Sequence, residues 1–199
     1  MVSDKFWEYT QKHSIFKPKD VESFGLKRIE LSRLVSSGKI LKISHGLYSI
    51  PGIEYNENTS IIEVFKRIPK AVLSHLSALQ FHGITTQLPH EIWVTVRNKT
   101  WIPKIDNLNI VVTRINEKNF NRDVEIHEID NMNIKVYSIA RTCSDCFKSR
   151  NKLGLDIAIE ALKETILQKK ASVSEIVNAA KYCRTFLLMK PYIEAIVST

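Results

Sequence analysis

The 199 residues suit one large domain or two small ones, and a composition of 44% hydrophobic and 25% charged residues is ordinary for a folded protein. No apolar run approaches the roughly 18 residues of a membrane span. The opening MVSDKFWEYTQKH carries acids and aromatic residues where a signal peptide has a basic start and an apolar stretch. We therefore expect a cytoplasmic protein without membrane contact. The formal net charge of +8 favours a polyanionic partner.

The first fifty residues predict three short helices and a hairpin. Helices are expected over about residues 3–13, 19–24 and 27–37, and the two short apolar-rich runs 40–43 and 47–50 are expected to form two strands. Such a hairpin is marginally stable by itself in water. Three helices followed by a two-stranded wing is the order of a winged helix-turn-helix domain, whose third helix enters the major groove of DNA.

The third predicted helix has one face for the core and one for a partner. At about 100° per residue, Leu31, Leu34 and Val35 share an inward arc. The opposite face combines arginine, serine and an isoleucine, which suit guanine edges, bases or phosphates, and thymine methyl groups respectively. The predicted DNA-binding residues of helix and wing are Lys27, Arg28, Ile29, Ser32, Arg33, Ser36, Lys39, Lys42 and His45.

The wing is predicted to lean on the third helix. Leu41, Ile43 and Leu47 are expected to pack down on that helix, while Lys42 and His45 point toward phosphate groups. Two plainer interpretations stay open. In the first, Lys39 and Lys42 only keep an exposed strand edge soluble; in the second, His45 is only a turn residue.

Residues 53–60 are polar and predict a linker between a winged domain over 1–52 and a second domain over 61–199. The second domain is predicted to be α+β, with a mostly antiparallel sheet and a helical C-terminal tail. Strands are expected at 91–97, 108–115, 124–129 and 134–137, and helices at about 74–82, 138–148, 153–169, 172–183 and 185–197.

The N-terminal stretch GLKRIELSRLVSSGKILKISHGLYSIP (25–51) resembles the DNA-binding domain of the AbiEi antitoxin family, bacterial transcriptional regulators of type IV toxin–antitoxin, abortive-infection operons. AVLSHLSALQFHGITTQLP (71–89) and IKVYSIARTCSDCF (134–147) resemble later segments of the same family more loosely. Lys27 departs from the pattern, because a hydroxyl residue is common at that helix start and lysine cannot accept the capping hydrogen bond.

The resemblance implies a repressor that also acts as an antitoxin in phage defence. Its N-terminal domain would bind repeats in operator DNA upstream of its own operon. Its C-terminal domain would counter a nucleotidyltransferase-like toxin, with direct contact between the two proteins left open. The resemblance implies no catalytic residue, no cofactor and no metal, and a bacterial protein that associates with the nucleoid when bound to DNA.

Two further patterns in the second half of the chain admit a function. One is a basic loop with an aromatic residue, which contains Arg97, Lys99, Trp101 and Lys104. Three interpretations of this loop stay open: a second nucleic-acid surface, a toxin-facing surface or a plain solvated loop. Arg141 and Asp145 have the spacing of an ion pair on one helix face, or of a contact to toxin or RNA.

The sequence patterns give weaker support to a zinc site or to hydrolase activity. Cys143 and Cys146 form a CxxC pair that lacks a second pair for zinc. Ser74, His75 and His82 lack the elbow motif of a hydrolase and fit a core or capping role. Two alternatives remain open: a metal-dependent nucleic-acid-processing enzyme with Glu125 and Asp130 as ligands, and a plain transcriptional regulator.

Overall fold

A computed structural model describes residues 3–53, 56–85 and 90–198. The chain divides into two compact units. Unit 1 comprises Met1–Lys70 together with His127–Ile134, and unit 2 comprises Ala71–Ile126 and Lys135–Thr199. Within the part of the chain that is described, no helix combines the length and the apolar character needed to cross a bilayer.

Unit 1 is built from short helices and a three-stranded sheet. Its elements in chain order are α1 (Asp4–Lys12), β1 (Ile15–Phe16), α2 (Pro18–Val21), a 3₁₀ turn (Glu22–Phe24), α3 (Arg28–Ser36), β2 (Leu41–Ser44), β3 (Leu47–Ser49) and α4 (Glu57–Arg67). The three predicted helices and the hairpin are confirmed. The strand β1 and the helix α4 extend this architecture beyond what the sequence patterns indicated.

The start of α3 is stabilised without a side-chain cap from Lys27. The Lys27 side chain makes no capping hydrogen bond. Its backbone N–H instead donates to Glu30 Oε2 at 2.7 Å, the second half of a capping box. At the other end, Gly38 has a φ of +68°, the left-handed conformation that commonly ends a helix. The departure at Lys27 therefore leaves the helix boundaries as predicted.

The core of unit 1 orients α3. Leu31 is fully buried, Leu34 is 7% exposed and Val35 is partly buried, so the predicted inward face is confirmed. These residues join an apolar cluster contributed by α1, β1, α2 and the chain before β2. Its buried members are Phe6, Phe16, Val21, Leu26, Leu31, Leu34 and Ile40.

The prediction for how the wing rests on unit 1 is wrong. Leu41 is 49% exposed, and Ile43 and Leu47 pack with Ile15 and with Ile62 of α4 rather than with α3. The reason is the third strand, because β1 pairs with β3 and the sheet order is β1-β3-β2. The wing is therefore held between a strand and a helix that lie outside the hairpin itself.

The predicted linker overlaps a helix. Among its described residues, Asn56 caps α4: its side-chain oxygen accepts from the Thr59 N–H at 3.1 Å, and its own N–H donates to Thr59 Oγ1 at 3.3 Å. Glu54 and Tyr55 lie outside the described residues. Unit 1 continues to Lys70, so the compact unit is longer than the predicted winged domain.

The turn at Asp130 and Asn131 belongs to unit 1 and contacts its N-terminal part. The Asp130 carboxylate accepts hydrogen bonds from the Ser14 backbone N–H at 2.5 Å and from Ser14 Oγ at 2.6 Å. Asn131 Nδ2 donates to the Lys12 carbonyl at 2.8 Å. Both turn residues have positive φ, 51° and 55°, which suits the Asp-Asn sequence of a tight hairpin.

Unit 2 combines a sheet with a helical C-terminal part, which confirms the α+β class. The remaining elements are β4 (Val72–Leu73), α5 (His75–Phe81), β5 (Ile92–Arg97), β6 (Ile110–Ile115), α6 (Glu117–Phe120), β7 (Val124–Ile129), β8 (Met132–Tyr137), α7 (Ile139–Lys148), α8 (Arg150–Leu153), α9 (Leu155–Leu167), α10 (Val173–Cys183) and α11 (Phe186–Val197). Part of the 71–89 segment, residues 86–89, is outside the described range.

The five-stranded sheet is mixed, where the sequence predicted a mostly antiparallel one. Its order is β6-β5-β4-β8-β7, with β5 parallel to β6 and β4 parallel to β8. Neighbouring parallel strands need a crossover of about a dozen residues, and the segment 98–109 provides it between β5 and β6. Side chains alternate between the two faces of a sheet in parallel and in antiparallel strands alike. The sequence pattern therefore could not distinguish parallel from antiparallel pairing.

Candidate nucleic-acid interface

All nine predicted DNA-binding residues lie on the surface of unit 1. Each residue from Lys27 to His45 in that set is exposed, and Ile29 has 62% of its surface accessible. Leu41, which was predicted to be inside, adds a second exposed aliphatic side chain on the first wing strand. The outer face of α3 is therefore basic and hydroxylic with aliphatic groups beside the charges.

The hydroxyl groups on this face have a defined resting position. Ser32 Oγ donates to the Arg28 carbonyl at 3.1 Å, and Ser36 Oγ donates to the Ser32 carbonyl at 3.0 Å. Such bonds to the preceding turn are local and exchangeable, and each hydroxyl oxygen keeps acceptor capacity. A partner with hydrogen-bond donors or acceptors can therefore engage these serines without disturbing the helix.

The cations of this face are not neutralised locally. Within residues 3–53, 56–85 and 90–198, no salt bridge involves Arg28, Arg33, Lys39 or Lys42. Glu30, the acid of α3, is engaged by the Lys27 backbone instead. The positive charge is thus available to an external polyanion.

The tip of the wing is a two-residue turn. Ser44 and Leu47 are paired across the hairpin, and His45 and Gly46 connect them. Gly46 has a φ of +70°, a conformation that side-chain-bearing residues rarely adopt. His45 and Lys42 are exposed, so both can reach a phosphate backbone that passes the wing.

A buried polar network holds the base of this turn, and sequence reasoning missed it. Ser44 Oγ donates to Glu63 Oε1 at 3.1 Å, and Arg67 also contacts both Ser44 and Glu63, its guanidinium lying 3.3 Å from Glu63 Oε1. The Glu63 side chain is completely buried and that of Arg67 is 11% exposed. We call Ser44, Glu63 and Arg67 the wing–α4 network. The spacing of Glu63 and Arg67, four apart on a helix, was the available signal.

The short helices and the three-stranded sheet of unit 1 have a winged helix-turn-helix-like arrangement. Residues 10–51 match the family model described as transcriptional regulator, AbiEi antitoxin, and the match is confined to this N-terminal segment. The matched range includes α3 and the whole hairpin and stops before α4. No curated protein matches the chain.

The basic loop of unit 2 presents an aromatic side chain but not a cluster of free cations. Trp101 is 80% exposed. Arg97 pairs with Glu117 at 2.9 Å and lies over the Phe120 ring at 5.0 Å, and Lys104 pairs with Asp106 at 2.9 Å. Lys99 occupies a turn with a φ of +63°. Arg97 and Lys104 thus each have an acidic partner within the chain.

Ser74 and His75 belong to the interior of unit 2. His75 is 2% exposed, with Nδ1 3.0 Å from Ser74 Oγ and Nε2 2.9 Å from Ser149 Oγ. Ser74 is completely buried and accepts from Thr95 Oγ1 at 2.9 Å. The arrangement has a Ser–His contact without substrate access and without an acid on the second ring nitrogen. Burial lowers the pKa of His75 to about 4.

The remaining candidates are structural. Arg141 and Asp145 form a buried ion pair with Nε 2.8 Å from Oδ2, and Arg141 Nη1 donates to the Asn119 carbonyl at 3.1 Å. Cys143 and Cys146 are buried, and burial raises the pKa of the Cys143 thiol to about 11. No group of three potential metal-ligating side chains occurs among the described residues. The Asp130 carboxylate is engaged by Ser14.

The wing–α4 network predicts a large stability effect. Replacing Arg67 by Met removes the guanidinium that pairs with the fully buried Glu63 carboxylate. We expect the free energy of unfolding to fall by about 3–5 kcal/mol, because removing one partner of a buried ion pair is strongly destabilising. Urea denaturation measures this. The double variant Glu63→Leu/Arg67→Met should be less destabilised than Arg67→Met alone; equal unfolding midpoints for Arg67→Met and the natural protein would contradict the prediction.

Burial of His75 predicts a pH effect on stability. Between about pH 6.5 and pH 4 the unfolded chain binds a proton at this imidazole and the folded chain does not, so stability rises with pH in this window. From pH 7 to pH 4 the natural protein should lose about 3 kcal/mol more than the variant His75→Asn. Asn tolerates the φ of +50° at this position. Parallel stability profiles for the two proteins would show that His75 does not titrate as described.

Proposed function

We propose that this protein is an autoregulatory antitoxin of a type IV toxin–antitoxin, abortive-infection system. Unit 1 would repress the protein's own operon by binding repeats in the operator DNA upstream of it. The observation that carries the proposal is the exposed face of α3. Among the described residues, Arg28 and Arg33 form no salt bridge, and Ile29 is exposed on the same helix. This face lies inside the segment that matches the regulator family model.

Helix α3 supplies the groups for reading bases. Arginine donates two parallel hydrogen bonds to the N7 and O6 atoms of guanine, and an aliphatic side chain contacts the thymine methyl group. Arg28 and Arg33 would take the first role and Ile29 the second. Ser32 and Ser36, whose hydroxyl groups now bond to the preceding turn, can exchange to bases or phosphates.

The wing supplies contacts to the backbone. Lys42 and His45 are exposed around the turn that the wing–α4 network holds. Lysine neutralises phosphate without reading sequence. Since α4 fixes the base of the wing, the DNA-binding unit would include α4 even though the family match ends before it.

The antitoxin role follows from the family description and from the resemblance of the later segments. The partner would be a cognate nucleotidyltransferase-like toxin, and unit 2 would carry the neutralising function. The protein would act without catalysis and without a cofactor, since the Ser–His contact is sealed in the interior and Arg141–Asp145 is an internal ion pair. Its place would be the bacterial cytoplasm, on the nucleoid when bound to its operator.

The helix-three face can be tested by two arginine substitutions. Arg28→Ala and Arg33→Ala should each weaken operator binding by about 10-fold to 100-fold, because each would remove a base contact worth about 1–3 kcal/mol. Electrophoretic mobility shift with the upstream operon fragment measures the affinity. Rescue of growth against the toxin should remain largely intact in both variants. Loss of rescue with folding unimpaired would refute the division of labour, and Lys5→Ala on α1 serves as the matched charge control.

The wing can be tested through the salt dependence of binding. Lys42→Ala should weaken binding to operator and unrelated duplexes about equally and should lower the slope of log affinity against log salt by about 1. His45→Ala should also weaken binding to both duplexes, because it removes an exposed polar side chain at the tip of the wing. Fluorescence anisotropy across a series of salt concentrations measures both effects. Unchanged affinity in both variants would show that Lys42 and His45 do not contact DNA.

A further inference from the structure

Unit 2 contains a polar cleft of about 230 Å³ without a carboxylate in its lining. The polar residues that line it are Asn98, Arg114, Asn116, Asn119, Arg141 and Lys148. Arg141 is internally neutralised by Asp145 at 2.8 Å. Arg114 and Lys148 are exposed and, among the described residues, form no salt bridge. The cleft therefore presents cations and amides to an anion.

The cations of this cleft are positioned by the fold. Arg114 Nη1 donates to the Thr100 carbonyl at 2.8 Å, which directs the guanidinium along the crossover loop and leaves its other N–H groups for a ligand. Lys148 lies in the last turn of α7, where the helix fixes its backbone. The Asn116 side-chain oxygen accepts from the Asn119 N–H at 3.2 Å, so its amide NH₂ is left to donate outward.

A second cleft shares Lys148 with the first and combines further cations with Leu187 and Leu188. It has a volume of about 480 Å³, and its lining includes Arg150 and Arg184 and again no carboxylate. Arg184 is exposed, with a φ of +62° at the C-terminal end of α10. The two clefts share Lys148, so Arg114 and Arg184 line adjoining clefts. We call Arg114, Lys148 and Arg184 the cation row. Cations spread over two adjoining clefts fit an anion with several charges better than a single phosphate group.

Trp101 adds a stacking surface beside this row. It is 80% exposed, and it follows directly the residue whose carbonyl positions Arg114. An exposed indole next to a positively charged groove is how proteins bind single-stranded nucleic acid without sequence preference, because every unpaired base has a π-face. A duplex hides those faces, and an acidic peptide offers none.

We propose that Trp101 and the cation row Arg114–Lys148–Arg184 bind single-stranded nucleic acid on unit 2. The phosphodiester backbone follows the two clefts, and an unpaired base stacks on Trp101. This activity is separate from operator binding by α3 and needs no groove reading. Of the predicted basic loop, the proposed site keeps Trp101. Arg97 and Lys104 are paired with acids, and the cation row takes their place.

The experiment uses the full chain carrying Arg28→Ala and Arg33→Ala, so that the α3 face does not contribute. Anisotropy of fluorescein-labelled 12-residue oligouridylate and oligothymidylate measures binding at low salt. Trp101→Ala should weaken it at least 5-fold, while Trp101→Phe should retain most of it, since stacking needs an aromatic ring. Arg114→Gln and Lys148→Gln should each weaken binding several-fold and reduce its salt dependence.

Lys163→Gln on α9 loses the same charge at another exposed position of unit 2 and should bind like the parent. Thermal melting checks that each variant is folded, and Lys148→Gln keeps the test valid if Arg114→Gln disturbs the loop. Equal single-strand affinity in all variants would overturn the proposal. So would tighter binding of a 12-base-pair duplex through these residues, or equal competition by polyglutamate. Operator binding is measured separately, on protein with an unaltered α3. The outcome of the single-strand experiment therefore does not bear on the proposed repressor function.

Discussion

The orientation of α3 depends on the burial of Leu31, Leu34 and Ile40 in one apolar cluster. Full burial of such side chains contributes about 1.5–3 kcal/mol each, enough to fix which face of a nine-residue helix is inside. With these residues inside, helical geometry places Arg28 and Arg33 in solvent without further instruction. The basic face is a consequence of the core. A helix of this length would not be stable by itself in water, so the recognition surface exists only because unit 1 folds around it.

The wing depends on a different kind of interaction. Its apolar residues Ile43 and Leu47 contact Ile15 and Ile62, and its polar residue Ser44 joins the buried Glu63–Arg67 pair. A buried ion pair adds little net stability but demands a particular geometry. The network therefore serves the placement of the turn more than the stability of the unit. The consequence is that a helix outside the family-matched segment helps position the wing.

Much of the fold, and the exposure of the basic face of α3, could be predicted because their signals are local. Periodicity separated Leu31 and Leu34 from Arg28 and Arg33, and Gly38 marked the helix end. Leu41 was misplaced because the direction of a strand residue depends on which neighbour covers the sheet, and β1 pairs with β3 from outside the hairpin. The parallel pairing of β5 with β6 was missed for the same reason, since alternation is equal in both directions. The spacing of Glu63 and Arg67 is that of an ion pair on one helix face, but it does not predict that this pair contacts Ser44 of the wing.

The sequence by itself determined the order of helices and wing, the polarity of each helix face and the positive charge, because these follow from residue type and period. The tertiary structure decided what touches what. It paired Arg97 and Lys104 with acids, left Arg114, Lys148 and Trp101 open, and placed Ser74 and His75 out of the reach of a substrate. Pairing, burial and cleft shape depend on residues far apart in the chain. Only the folded backbone brings such residues within a few ångströms.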